Sequence, residues 1–165
     1  MVLLSRYLRW RHGRGFGIHS PFAFRFITEV LRQRLPYYGY ADIPADRRLR
    51  LLYRLVVFFR PVRVAVVSSA PEVLERTVRR ASASVAISNA DPDFGVFDAG
   101  DIAVAQMAEA INSGGISALI LNINDEEVNA LTPLLRQGMT FANSRGTMVV
   151  ANRGGLPRQH FKVKF

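Results

Sequence analysis

The 165-residue chain has no cysteine, which excludes disulfides and thiolate metal sites and fits a reducing compartment. Histidine is scarce. His12, His19 and His160 are scattered over a helical stretch, a turn and a terminal strand, and no metal-ligand spacing links them. Long apolar runs are missing as well: the best, LLYRLVVFF, is short and carries Arg54, so no transmembrane segment is expected. The opening MVLLSRYLRWRHG does not read as a signal peptide, because Arg6, Arg9 and Arg11 interrupt any apolar core. Neither a phosphate loop of the G-x-x-x-x-G-K type nor a nucleophile-elbow serine occurs, and there is no internal repeat or low-complexity tract. These absences point to a soluble cytoplasmic protein and assign no catalytic or metal-binding residue.

What is present describes a folded domain. Hydrophobic residues make up 49% and charged residues 21%, which suits one sizeable core and is wrong for a disordered chain. The net charge of +9 is uneven: residues 1–60 hold twelve arginines against three acids, whereas ten basic and ten acidic residues cancel over 61–165. Such a field attracts anionic partners, whether nucleic acid, acidic protein or lipid headgroups. Arg6, Arg9, Arg11 and Arg14, with Tyr7 and Trp10 interleaved, are the candidate contacts. The plain alternative is a solvated helical face.

The texture changes near residue 61. Before it, apolar residues recur at helical spacing: Leu3, Leu4, Tyr7 and Leu8, then Phe22, Phe26 and Val30 beside Ala23, Ile27 and Leu31 over 21–34, stopped by Pro36. A tyrosine-rich connector, YYGYADIP, leads to a third helix over about 45–59. Beyond Pro61, the runs VRVAVVS (62–68), SVAIS (84–88), FGVFD (94–98) and SALILNI (117–123) read as buried strands alternating with helices at 70–81, 102–112 and 125–136. That alternation implies a mostly parallel sheet with helices on its faces. The tail reads as an antiparallel hairpin about Ser144-Arg145-Gly146 and a last strand, HFKVKF. We therefore expect residues 1–60 to form a helical extension packed on an α/β core at 61–165, as one folded unit. One link strains the scheme, because only Asn89–Asp93 separates two strand candidates and a parallel crossover usually takes a dozen residues. Either a hairpin or a bare crossover satisfies it, and the second is favoured.

In open α/β sheets the first strand-to-helix turn is where dinucleotide-like ligands bind. Here that turn is Val67-Ser68-Ser69-Ala70-Pro71-Glu72, without the glycines that let backbone approach a ligand. Ser69 and Glu72 are spaced for a capping box instead, and Glu72 and Glu75 put negative charge where a phosphate would sit. Asp98 ends a strand, Asp101 is placed to cap the next helix, and Asn122 and Asn124, ending the next strand, are placed to line the same crevice as Asp98. In GFGIHSPFAF, Ser20 sits at a helix N-cap with Pro21 at the first helical position, and Phe24 is placed to pack back on the preceding chain. The alternative for His19 is that it faces the cleft.

The segment GIHSPFAFRFITEVL, the connector YYGYADIP, the block LLYRLVVFFRP and the ending RQHFKVKF resemble a group of bacterial class I S-adenosylmethionine-dependent methyltransferase-like proteins. The resemblance implies a reduced Rossmann-like methyltransferase fold behind an N-terminal helical extension. Departures from the family pattern fall where its chemistry would be. An E-L-G-T-x-x-G cofactor turn corresponds to Val66-Val67-Ser68-Ser69-Ala70-Pro71-Glu72, and the ribose-holding acid is replaced near Ser88-Asn89. The third strand and its helix correspond to the short Asn89–Asp93 link, Asp98 survives in FDAG, and a D-D-I-H-like strand end becomes Leu121-Asn122-Ile123-Asn124. The resulting expectation is a degenerate member that has lost cofactor binding and acts as a binding or scaffold protein, through a protein partner or self-association. The alternative is a divergent methyltransferase that binds S-adenosylmethionine in a cleft of Ser68, Ser69, Asp98 and Asn122. The third reading is nucleic-acid or anionic-surface binding through the basic first third.

Overall fold

The computed structural model describes residues 19–165. The expected first helix, with Arg6, Arg9, Arg11 and Arg14, and the turn glycines Gly15 and Gly17 lie outside the described residues. Within them the chain forms an α/β structure around one seven-stranded sheet: β1 Arg63–Val67, β2 Ala86–Ile87, β3 Phe94–Asp98, β4 Ser117–Leu121, β5 Met139–Ala142, β6 Thr147–Ala151 and β7 Gln159–Lys162. The strand order is β2-β1-β3-β4-β6-β5-β7. All neighbours are parallel except at β6, which runs antiparallel to both β4 and β5. The expected mostly parallel sheet with an antiparallel C-terminal hairpin is thus present. The hairpin turn is built by Asn143, whose side-chain Oδ1 accepts the amides of Arg145 and Thr147, and by Gly146 with φ of 76°.

Helices cover both faces, which is why the central strands carry apolar residues on both sides. On one face lie α1 (Pro21–Arg25, running on into a wider π-type turn, Phe26–Leu31), α2 (Arg47–Phe59) and α3 (Pro71–Ala81). Phe26, Ile27, Leu52, Leu55 and Val78 pack there against Val64, Phe94, Val96, Leu119 and Phe141. On the other face, α4 (Val104–Gly114) and α5 (Asp125–Leu134) bring Met107, Ile111, Val128 and Leu131 onto Phe97, Ala118, Ile120, Met148 and Val150.

The start of α1 is capped as its sequence implies. The Ala23 amide donates to Ser20 Oγ at 3.2 Å, Pro21 holds the first helical position, and His19 at the preceding position is exposed. The helix ends earlier than residue 34, after Leu31, and the reason is Arg54 of α2. Its guanidinium is nearly fully buried and donates to the Val30 carbonyl at 2.7 Å, the Leu31 carbonyl at 3.2 Å and the Tyr40 hydroxyl at 3.1 Å. Carbonyls that a further helical turn would have paired are satisfied from the side. Helix α2 begins at Asp46, whose carboxylate accepts the Arg48 amide, and closes on Arg60 in the left-handed conformation (φ 51°).

The link between β2 and β3 is a bare crossover, and the hairpin alternative is excluded because the two strands flank β1 and run parallel to it. Geometry explains how so few residues suffice. Strand β2 stops level with Val64, where Ile87 pairs, and β3 starts at the same level, where Phe94 pairs. The chain therefore crosses sideways over one strand, roughly 10 Å, instead of travelling the length of the sheet. Arg63 pins it in passing, donating to the Asp91 carbonyl at 2.7 Å and to its carboxylate. Asp93 then accepts the amides of Val62 and Arg63 at 2.8 and 2.9 Å.

Two stability predictions follow from these contacts. Ser20→Ala removes the α1 cap and should cost about 1 kcal/mol in denaturant unfolding; an unchanged midpoint would show that the cap contributes nothing. On β7, His160 Nδ1 lies 2.6 Å from Thr140 Oγ1. Burial first, and the Lys162 cation second, hold the His160 pKa below its ordinary 6.5. The unfolded chain therefore binds the proton more readily, so this contribution to stability is complete above the ordinary value and is lost as pH falls through it. The melting temperature of His160→Gln should accordingly fall less between pH 7.5 and pH 5 than that of the natural chain, and equal falls would refute the assignment.

Candidate functional site

The crevice outside the carboxyl ends of parallel strands collects ligands where successive connections leave in opposite directions. In this sheet the chain leaves β1 outward to β2 and leaves β3 the other way to β4, so the switch point lies between β1 and β3. Four residues singled out in the sequence stand on its rim. Ser68 and Ser69 follow β1, Asp98 ends β3, and Asn122 follows β4.

Two of them touch. Asn122 donates through Nδ2 to Asp98 Oδ2 at 2.8 Å, while its own Oδ1 accepts Arg48 Nη1 at 2.9 Å. Asp98 Oδ1 takes the Gly100 amide at 3.1 Å. Arg48 is also paired with Asp46 at 3.5 Å, so a continuous chain of polar contacts runs from the start of α2 across the ends of β4 and β3. Asn122 reaches both partners from a left-handed backbone (φ 55°), a conformation that asparagine tolerates better than most residues.

The two serines belong to a second group, over β1. The Ser69 amide donates to Asp101 Oδ2 at 2.6 Å, and Ser68 Oγ accepts the Ala70 amide at 3.2 Å. Here two expectations need correction. Ser69 does not form a capping box with Glu72: Pro71 takes the first helical position of α3, so the cap falls on Ala70, which has no side-chain acceptor. Asp101 does not cap α4 either. That helix starts at Val104 after Ala103, and the Asp101 carboxylate turns to the first β1 turn instead, closing the gap between the strands. Asn124, considered for the same crevice, caps α5 in a reciprocal pair with Glu127, at 2.9 and 2.8 Å.

The consequence is a rim on which Arg48, Asn122 and Asp98, and separately the Ser69 amide and Asp101, are hydrogen-bonded to one another. The backbone amide after β1, which a bound anion would use, is held by a carboxylate of the protein. Arg48 and Asp101 are the members that sequence reasoning missed. Arg48 lies 74 positions from its partner, and no local pattern signals such a contact. Neither cavity described is lined by the four rim residues themselves. One of about 440 Å³ sits on the α4 side of β1, over Ala65, Val67 and Phe97 and under the crossover at Asn89 and Pro92. Another of about 380 Å³ lies between the end of α1 and the end of α2. Among the described residues no group of three or more histidine, aspartate or glutamate side chains is placed to hold a metal ion. No described helix is long and apolar enough to cross a membrane.

Comparison with protein-family models, curated proteins and solved structures finds no match for this chain.

The rim chain can be tested through Asn122. Asn122→Ala loses both hydrogen bonds and forces alanine into the left-handed region, for a combined cost of about 2 kcal/mol. Asn122→Gly loses the same bonds without the backbone strain and should be less destabilised by about 1 kcal/mol. Equal unfolding free energies for the two variants would show that the left-handed conformation is not kept in solution.

Proposed function

We propose that this chain is a reduced Rossmann-like domain of the methyltransferase type that no longer binds S-adenosylmethionine and works as a binding or scaffold protein. The sheet order supports the lineage. In the doubly wound arrangement the third strand lies outside the second, and the first neighbours the fourth. If the unit missing at the bare crossover is the third strand and its helix, β3 and β4 take the places of the fourth and fifth strands. The order outward from β2 then agrees with that arrangement. The antiparallel β5–β6 hairpin, read from the tail's own sequence, continues the sheet beyond β4.

The observation that carries the functional reading is the contact between the Ser69 amide and the Asp101 carboxylate. It puts a fixed negative charge at the switch point, where a cofactor would need free amides and glycine-width clearance. The Arg48–Asn122–Asp98 chain occupies the neighbouring strand ends in the same way. Opening either group would cost hydrogen bonds that the ligand would have to replace. With catalysis lost, the role that remains is association, with a protein partner or a second copy of the chain.

Isothermal titration calorimetry with S-adenosylmethionine and with S-adenosylhomocysteine tests this reading. No heat of binding is expected at millimolar ligand. Saturable micromolar affinity for either compound would sink it, and would make the rim residues a working cofactor site.

A further inference from the structure

The cavity of about 380 Å³ between α1 and α2 differs in character from the closed rim. Its wall carries Arg54, Arg60 and Arg153 together with Tyr37, Phe58 and a single acid, Glu29. The Glu29 carboxylate is already engaged, both oxygens accepting from Arg25 at 3.3 Å. None of the three arginines makes an ion pair with a carboxylate among the described residues.

Each arginine is held in its own way. Arg54 is nearly fully buried, and its Nε, Nη1 and Nη2 each donate one bond to Val30, Tyr40 and Leu31. Guanidinium has five N–H donors, so one on each Nη is left without an acceptor among the described residues. The Arg153 guanidinium lies over the rings of Phe58 and Phe59, 5.5 and 5.9 Å from their centroids. Arg60 stands at the end of α2 with φ of 51°, where glycine would sit without strain. A strained, charged residue at a helix end is the kind of outlier that accompanies ligand sites.

Guanidinium groups with spare donors match the oxygens of a phosphate, and the aromatic wall suits a compact apolar body attached to it. We propose that this cavity binds an organic phosphomonoester, its phosphate on Arg54, Arg60 and Arg153 and its apolar part against Phe58. The site uses none of the rim residues, so it stands or falls independently of the cofactor question.

The probe is phenyl phosphate, titrated into the full chain by calorimetry beside inorganic phosphate. Saturable one-to-one binding is expected, with inorganic phosphate weaker because it has no apolar part to set against Phe58. Arg60→Gly removes one cation while relieving the left-handed backbone, so it should keep or raise the melting temperature and weaken phenyl phosphate about tenfold. Arg153→Gln should weaken it similarly, and Glu29→Gln should tighten it. Arg145→Gln, on the hairpin turn, should leave it unchanged. No saturation by 10 mM phenyl phosphate, about the weakest affinity worth the name at roughly 3 kcal/mol, would overturn the proposal. So would unaltered binding in both Arg60→Gly and Arg153→Gln, or equal losses in Arg145→Gln, which would mark a diffuse surface field.

Discussion

The grip of the Asp93 carboxylate on the amides of Val62 and Arg63, at the entry to β1, is what the sheet is built around. A parallel pair normally owes its alignment to a helix packed over both strands. Between β2 and β3 there is none, and the work falls to one side chain. Asp93 takes the Val62 and Arg63 amides, and its own amide returns to the Arg63 carbonyl at 3.0 Å. These bonds fix the register that begins with Phe94 opposite Val64. Arg63 reinforces the grip by holding Asp91 on the face that the link crosses. Hydrogen bonds to a charged group contribute more than neutral ones, which is how so short a connector replaces a helix.

That solution has consequences at both ends of β1. On the α4 side, Ala65 and Val67 have only the narrow link and α4 over them, and a cavity remains. Gly95 belongs to the same patch: any side chain there would overlap the Phe97 ring, which lies over it. At the carboxyl end, the adjacency of β1 and β3 brings the turn 98–101 against the turn after β1. Close enough to meet, the two turns exchange the hydrogen bond between Ser69 and Asp101. The Asp98–Asn122–Arg48 chain extends the same self-satisfaction to β4. The crevice that this class of sheet offers a ligand is present in outline and filled by its own groups.

The sequence disclosed the frame better than the rim, for a physical reason. Strands such as FGVFD and SALIL are apolar throughout because both faces are buried, and that pattern is local and strong. The cap at Ser20 needs only Ser-Pro and a helix, and it stands as expected. The bare crossover was legible too, since chain length limits what five residues can do. What escaped depends on contacts between distant elements. Helix α1 stops at Leu31 because a guanidinium 23 positions away takes the Leu31 carbonyl. Asp101 read as a cap because a helix follows it, yet its partner lies 32 positions back. The error at Ser69 was avoidable: Pro71 dictates where α3 begins, and the residue before it must be the cap.

The surplus of arginine in the first third also has a more specific meaning than a solvated face. Five of those arginines belong to α2 or its end, and four of them do different things. Arg48 reaches the crevice rim, Arg54 turns inward to the end of α1, and Arg60 lines the second cavity. Arg50 lies 5.2 Å from the Tyr40 ring centroid, its Nε buried without an acceptor among the described residues. From Arg48 to Arg60 the helix advances about 18 Å, so α2 joins two sites of opposite condition. At its start the cation completes a network of protein groups. At its end, cations share a wall with one engaged carboxylate, and the charge is not neutralised there. α2 is thus the element that connects the crevice rim to the arginine-lined cavity.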